Sequence, residues 1–105
     1  MQQIRMGIAG LGRLGYRHAE NIAFRVPGVV LAAACSIVPQ ELERASRDFP
    51  GIACFTDYAD MLADRSLDAI FLCTPSGLHC AHIEAALTAG YHVFCEKPLG
   101  VTVAE

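Results

Sequence analysis

Five short runs of the chain are apolar at almost every position: Ile4–Ala9, Val29–Cys35, Ala53–Phe55, Ala69–Cys73 and Tyr91–Cys95. A strand with one wet face alternates apolar and polar residues, so runs without alternation predict strands covered on both faces. Stretches with helical spacing fill the gaps. Arg13–Phe24 carries Leu14, Ile22 and Phe24, and Pro39–Phe49 carries Leu42, Ala45 and Phe49. Asp57–Ala63 opens on a residue suited to an N-cap, and His79–Ala89 sets Ile83, Ala86 and Leu87 on one face. Gly90 follows where a C-cap glycine belongs. Strand–helix alternation with right-handed crossovers predicts an α/β fold, a doubly wound parallel sheet of strand order 3-2-1-4-5. The last strand of a full domain of this kind has no counterpart. The closing "VTVAE" reads as a helix start with Thr102 as N-cap. Tyr91–Cys95 is then an unpaired apolar edge that invites self-association.

The 105 residues suit one domain, and a 53% hydrophobic content supplies a core. A net charge of −3 with scattered arginines excludes the electrostatic footprint of a nucleic-acid or anionic-membrane binder. Ile4–Ala9 is too short for a signal-peptide core, and the chain has no apolar segment near the roughly 20 residues that cross a bilayer. Five cysteines without C-x-x-C spacing predict neither a disulfide frame nor a zinc site. They fit a reducing, cytoplasmic setting.

"IAGLGRLGYRHAE" holds Gly10, Gly12 and Gly15 in G-x-G-x-x-G spacing between a strand and a helix, which makes the domain Rossmann-like. Gly10 allows a tight turn, Gly12 lets a pyrophosphate approach the backbone, and Gly15 lets helix and strand pack closely. The bland alternative is a strand–helix turn without a ligand. The same fingerprint calls for an acid at the end of the second strand, to hold the adenosine ribose. Ser36 stands there instead, so the pocket reads as uncharged. Ser36 is either a ribose contact or a plain strand-end serine. No arginine follows it directly, although Arg13 could reach the region, which leaves NAD and NADP both open.

In the second half, Thr74-Pro75 breaks the fourth strand, Ser76-Gly77 makes a turn and His79 leads into the next helix. This loop lies across the switch point from the glycine loop and faces the nicotinamide half of a dinucleotide. His79 and His82 share a helix face but lack a third ligand at a convincing spacing, so no metal site is predicted. Glu96-Lys97 sits at the carboxyl end of the fifth strand on the same rim. Lys97 is either an exposed lysine paired with Glu96 or a base whose pKa a nearby nicotinamide would lower.

"GIAGLGRLGYRHAENI", "TPSGLH" and "VFCEKPLGVT", in this order, resemble the Gfo/Idh/MocA oxidoreductases over Ile4 to Glu105. The resemblance implies that Gly10, Leu11, Gly12, Arg13, Leu14 and Gly15 form the pyrophosphate loop. Thr74, Pro75 and His79 would border the nicotinamide ribose, with Ser76 where the family commonly has asparagine. Glu96, Lys97 and Pro98 would form the family's E-K-P motif, with Lys97 taking part in proton transfer and a cis Lys97–Pro98 bond. It further implies that residues 1–105 are the NAD(P)-binding part of a larger homo-oligomeric enzyme. The α/β substrate domain, with an Asp-x-x-x-His pair, is absent from this chain. The implied reaction is hydride transfer between nicotinamide and a secondary alcohol of a polyol or sugar, with an inositol-type substrate expected. A non-catalytic dinucleotide-binding regulator, or a hydrolase or lyase that retains bound NAD, remains an alternative.

Overall fold

The computed structural model describes residues 3–64, 66–73, 76–97 and 100–104, with backbone alone for 76–80, 95–97 and 100–104. The elements in chain order are β1 (Ile4–Ala9), α1 (Arg13–Phe24), β2 (Val29–Cys35), α2 (Pro39–Asp48), β3 (Ala53–Phe55), α3 (Tyr58–Leu62), β4 (Ala69–Leu72), α4 (Ser76–Thr88), β5 (His92–Lys97) and β6 (Gly100–Ala104). They build one sheet of order β3-β2-β1-β4-β5-β6. The first five strands are parallel, as the unalternated runs predict.

The absence of alternation has a direct explanation in the packing. Successive strand residues point to opposite faces, and here both faces are dry. On one face Met6 and Ile8 of β1, with Ala69 and Phe71 of β4, pack against Tyr16, Ala19 and Ile22 of α1 and Ala45 of α2. On the other, Ala9 of β1, with Ile70 and Leu72 of β4, packs with Met61 and Leu62 of α3 and Ala86 of α4. Ile8, Ile70, Leu72 and Val93 are among the largest fully buried side chains. Gly7 keeps β1 close to the second layer: a Cβ there would lie 3.0 Å from Leu67 Cδ1 and 3.1 Å from Met61 Sδ.

Three expectations change. α4 begins at Ser76, so Ser76 and Gly77 belong to its first turn instead of a separate turn. First-turn N–H groups have no intrahelical acceptor in any case, so a helix start sacrifices no bonds at those two residues. The last residues form β6 rather than a helix, pairing antiparallel with β5 from Val93↔Ala104 to Lys97↔Gly100. Three consecutive β-branched residues, Val101, Thr102 and Val103, favour strand over helix there. β5 is consequently not an open edge, and the expected self-association through it loses its basis. Thr74, Pro75 and Pro98, with the cis bond expected at Lys97–Pro98, lie outside the described residues.

The tightest packing lies where α1 leaves the glycine loop. A Cβ on Gly15 would stand 2.2 Å from the Gly10 carbonyl oxygen and 3.3 Å from Cys73 Cβ. A Cβ on Gly12 would meet nothing within 4 Å. Gly15→Ala is expected to lower the unfolding free energy in urea by about 3 kcal/mol, the upper end for overpacking, because the atom in the way is backbone. Gly12→Ala should leave stability within about 0.5 kcal/mol of the parent. Equal losses from the two substitutions would contradict this assignment.

Candidate dinucleotide-binding site

The glycine loop is fixed from both sides of its strand. The Gly10 N–H donates to the Cys35 carbonyl at 3.0 Å, and the Cys73 N–H donates to the Ala9 carbonyl at 2.8 Å. The first bond ties the loop to the end of β2 and the second to the end of β4. Gly10 has φ +96°, the left-handed region that a side chain disfavours. Gly12 is the N-cap of α1 and has no side chain to cap it, and the first turn holds no acid. The unpaired N–H groups and the positive end of the helix dipole therefore face the groove, which is the arrangement that holds a pyrophosphate.

A cavity of about 490 Å³ opens at this point. Its wall runs along Ala9 to Gly12 after β1, Cys35 to Val38 after β2, Thr56 after β3 and Cys73 after β4, with Glu41, Tyr58 and His82 behind. All four strands contribute their carboxyl ends, so the cavity spans the switch point between β1 and β4, where open α/β sheets bind ligands. A larger cavity, about 760 Å³, lies at the amino ends among Gln3, Ile4, Asp68, Gly90 and His92. Helix C-termini with their negative dipole ends face that side, so it does not suit an anionic cofactor.

Of the residues singled out in the sequence, Gly10, Leu11, Gly12 and Ser36 line the carboxyl-end cavity together. Arg13 shares a neighbouring cleft with Gly12, Tyr16, Arg17, Glu20, Glu41 and Arg44. Leu14 is exposed and turns away, toward Arg17 and His18, while Gly15 is buried against the loop. Ser76 and His79 fall in the first turn of α4 and Glu96 and Lys97 at the carboxyl end of β5, one and two residues past the Leu72↔Cys95 pair. Those four are placed by backbone. Among the described residues no cluster of metal-ligating side chains occurs.

The electrostatics differ from the sequence expectation at Ser36. Its side chain is 6% exposed and hydrogen-bonded on both sides. The Val38 N–H donates to Ser36 Oγ at 3.0 Å, and Oγ donates to Glu41 Oε1 at 2.6 Å. The strand end that reads as neutral along the chain thus carries a carboxylate, delivered from the first turn of α2. Glu41, Thr56, Tyr58, Cys73 and His82 are among the wall residues that motif reading did not assign to the site. Thr56 and Cys73 could have been found by extending the strand-end rule to β3 and β4. In the adjoining cleft, Tyr16 donates to Asp48 under the Arg44 guanidinium, which lies 3.9 Å from the ring centre. Burial and that bond to Asp48 push the phenol up to about 12.

These features define a dinucleotide-binding domain of the doubly wound class. The chain matches the Gfo/Idh/MocA model, described as an oxidoreductase family with NAD-binding Rossmann fold, over residues 4–105, and it belongs to that family. It is 34% identical over 103 residues to an inositol 2-dehydrogenase of Salmonella typhimurium, covering 97% of this chain and 31% of that protein. Similarity to the scyllo-inositol 2-dehydrogenase (NAD(+)) of Bacillus subtilis is also 34%, covering 98% and 30%. The crystal structure of scyllo-inositol dehydrogenase from Lactobacillus casei with bound NAD(H) and scyllo-inositol superposes with TM-score 0.88 and 48% identity, covering 94% of this chain and 29% of that one. The chain thus spans about a third of the length of these relatives.

Cys35, on the cavity wall, is 7% exposed, and burial foremost, then the charges of Asp57 and Asp60, raise its thiol to about 11. A protonated thiol held this way stabilises the fold below the ordinary value of 9.0, and that contribution is lost as pH rises through about 11. Alkylation at about pH 8 should label the exposed Cys54 well before Cys35. Labelling of Cys35 at the rate of Cys54 would contradict the buried thiol.

Proposed function

We propose that this chain is the cofactor-binding domain of an NAD(P)-dependent oxidoreductase that oxidises a secondary alcohol of a polyol or sugar, with inositols as the preferred class. The observation that carries the reading is the convergence on one rim of the glycine loop, the ends of β2, β3 and β4, and the carboxyl end of β5 bearing Lys97. The inositol dehydrogenases among its relatives support the substrate class. The substrate pocket itself belongs to a following α/β domain, in keeping with the third of their length that this chain covers.

The residues fit a dinucleotide. Gly10 to Gly15 and the start of α1 would hold the pyrophosphate, Ser36 and Glu41 the adenosine ribose, and Thr74, Pro75, Ser76 and His79 the edge of the nicotinamide ribose. When bound, the nicotinamide supplies hydride acceptance. Lys97 then works on the substrate: its Nζ takes the hydroxyl proton as the carbonyl forms, with Glu96 and Pro98 as its partners in the motif. A lysine does this near neutral pH only when its ammonium is destabilised by burial or a neighbouring positive charge. The setting is the cytosol, which the free thiols of Cys35 and Cys54 suit. The enzyme is taken to work as a homo-oligomer, and exposed Leu14 and Phe24 offer apolar surface to a second copy.

The complete protein should reduce NAD with myo- or scyllo-inositol. Lys97→Met should lower kcat by about 100-fold or more while leaving NADH affinity within about threefold. Unchanged kcat in that variant would remove Lys97 from the chemistry, and failure with every polyol and sugar would overturn the substrate class.

A further inference from the structure

Helix α2 starts at Pro39, with Val38 as N-cap and no side-chain bond closing that cap directly. Glu41 is then the third residue of the helix, the place from which a capping-box glutamate reaches back to the N-cap N–H. Here the reach is relayed. The Val38 N–H donates to Ser36 Oγ, and Ser36 Oγ donates to Glu41 Oε1. Two consequences follow from the single serine. The Val38 N–H is satisfied, and a carboxylate is held at the end of β2 with its remaining lone pairs uncommitted by any bond among the described residues. Both Ser36 and Glu41 line the cavity that holds Gly10 and Gly12.

We infer that Glu41, positioned through Ser36, is the residue that selects NAD over NADP at this site; the inference rests on the dinucleotide reading above. In dinucleotide folds an acid at the second strand end accepts from the ribose hydroxyls and repels a 2′-phosphate. This chain carries serine at the strand end and supplies the acid one helical turn later. The competing cations are accounted for. Arg44 is engaged, stacked 3.9 Å over the Tyr16 ring and 3.6 Å from Asp48 Oδ2. Arg13 and Arg17 line the adjoining cleft together with Glu20 and Glu41, so a phosphate reaching either arginine sits among carboxylates that include Glu41.

Direct titration of the chain with NADH and NADPH tests this without catalysis. The parent should bind NADH about 100-fold more tightly than NADPH, the scale of a like-charge clash at a partly desolvated site. Glu41→Gln retains an acceptor for the Ser36 hydroxyl and removes only the charge. It should narrow the ratio at least tenfold, mainly by tightening NADPH, with an unchanged urea midpoint. Ser36→Ala, which frees Glu41, should narrow it to a lesser extent. Comparable affinity of the parent for both dinucleotides, or a ratio unmoved by Glu41→Gln, overturns the assignment while leaving the dinucleotide site standing. If neither dinucleotide binds, the dinucleotide reading falls, and the selectivity with it.

Discussion

The close approach of helix α1 to its own loop is the constraint on which the rest of this structure depends. With no side chain at position 15, the helix settles against the Gly10 carbonyl, at a point where a Cβ would stand 2.2 Å from that oxygen. That contact brings the first turn of α1 to the carboxyl rim of the sheet. Moving the helix outward to relieve a methyl group would withdraw its N–H groups from the groove. It would also loosen the loop bonds to Cys35 and Cys73 that join β2, β1 and β4 at the switch point. Fold and site therefore share one steric requirement, and the glycines divide it. Gly15 serves packing, while Gly12 has open space before it on the side of the groove.

The sheet was legible in the sequence because its central strands are buried on both faces. Ile8 and Ala9, or Phe71 and Leu72, point to opposite faces, and each face has its own apolar layer. The inner positions of β1, β2 and β4 are then all under the same pressure to be apolar, which gives the runs their form. Helix ends were less legible. α4 takes in Ser76 and Gly77, residues that suit a turn and a helix's first turn about equally well. β6 was missed because a single threonine reads as an N-cap while its valine neighbours favour a strand, and pairing with β5 decides between them.

The ribose corner shows why a motif read by position can mislead. The fingerprint asks for an acid at the strand end, and a serine there implies a neutral pocket. Charge, however, is placed in space: one helical turn brings Glu41 back over Ser36, and the serine's own hydrogen bonds fix it there. The signal was present as a glutamate at the third position of a helix that opens on proline, but it looks like ordinary capping. Only the cavity wall, which Ser36 and Glu41 share with Gly10 and Gly12, sets that cap beside the glycine loop and suggests the second role proposed for it.

The central claim is that the carboxyl rim, rather than the larger groove at the amino ends, receives the dinucleotide. Backbone amide shifts of the isotopically labelled chain, followed during addition of NAD, report on both ends of the sheet at once. The account predicts the largest changes at Gly10 to Gly15, Ser36 to Val38 and Thr56, with Gln3, Asp68, Gly90 and His92 unmoved. Changes concentrated on that second set, with the glycine loop silent, would contradict it.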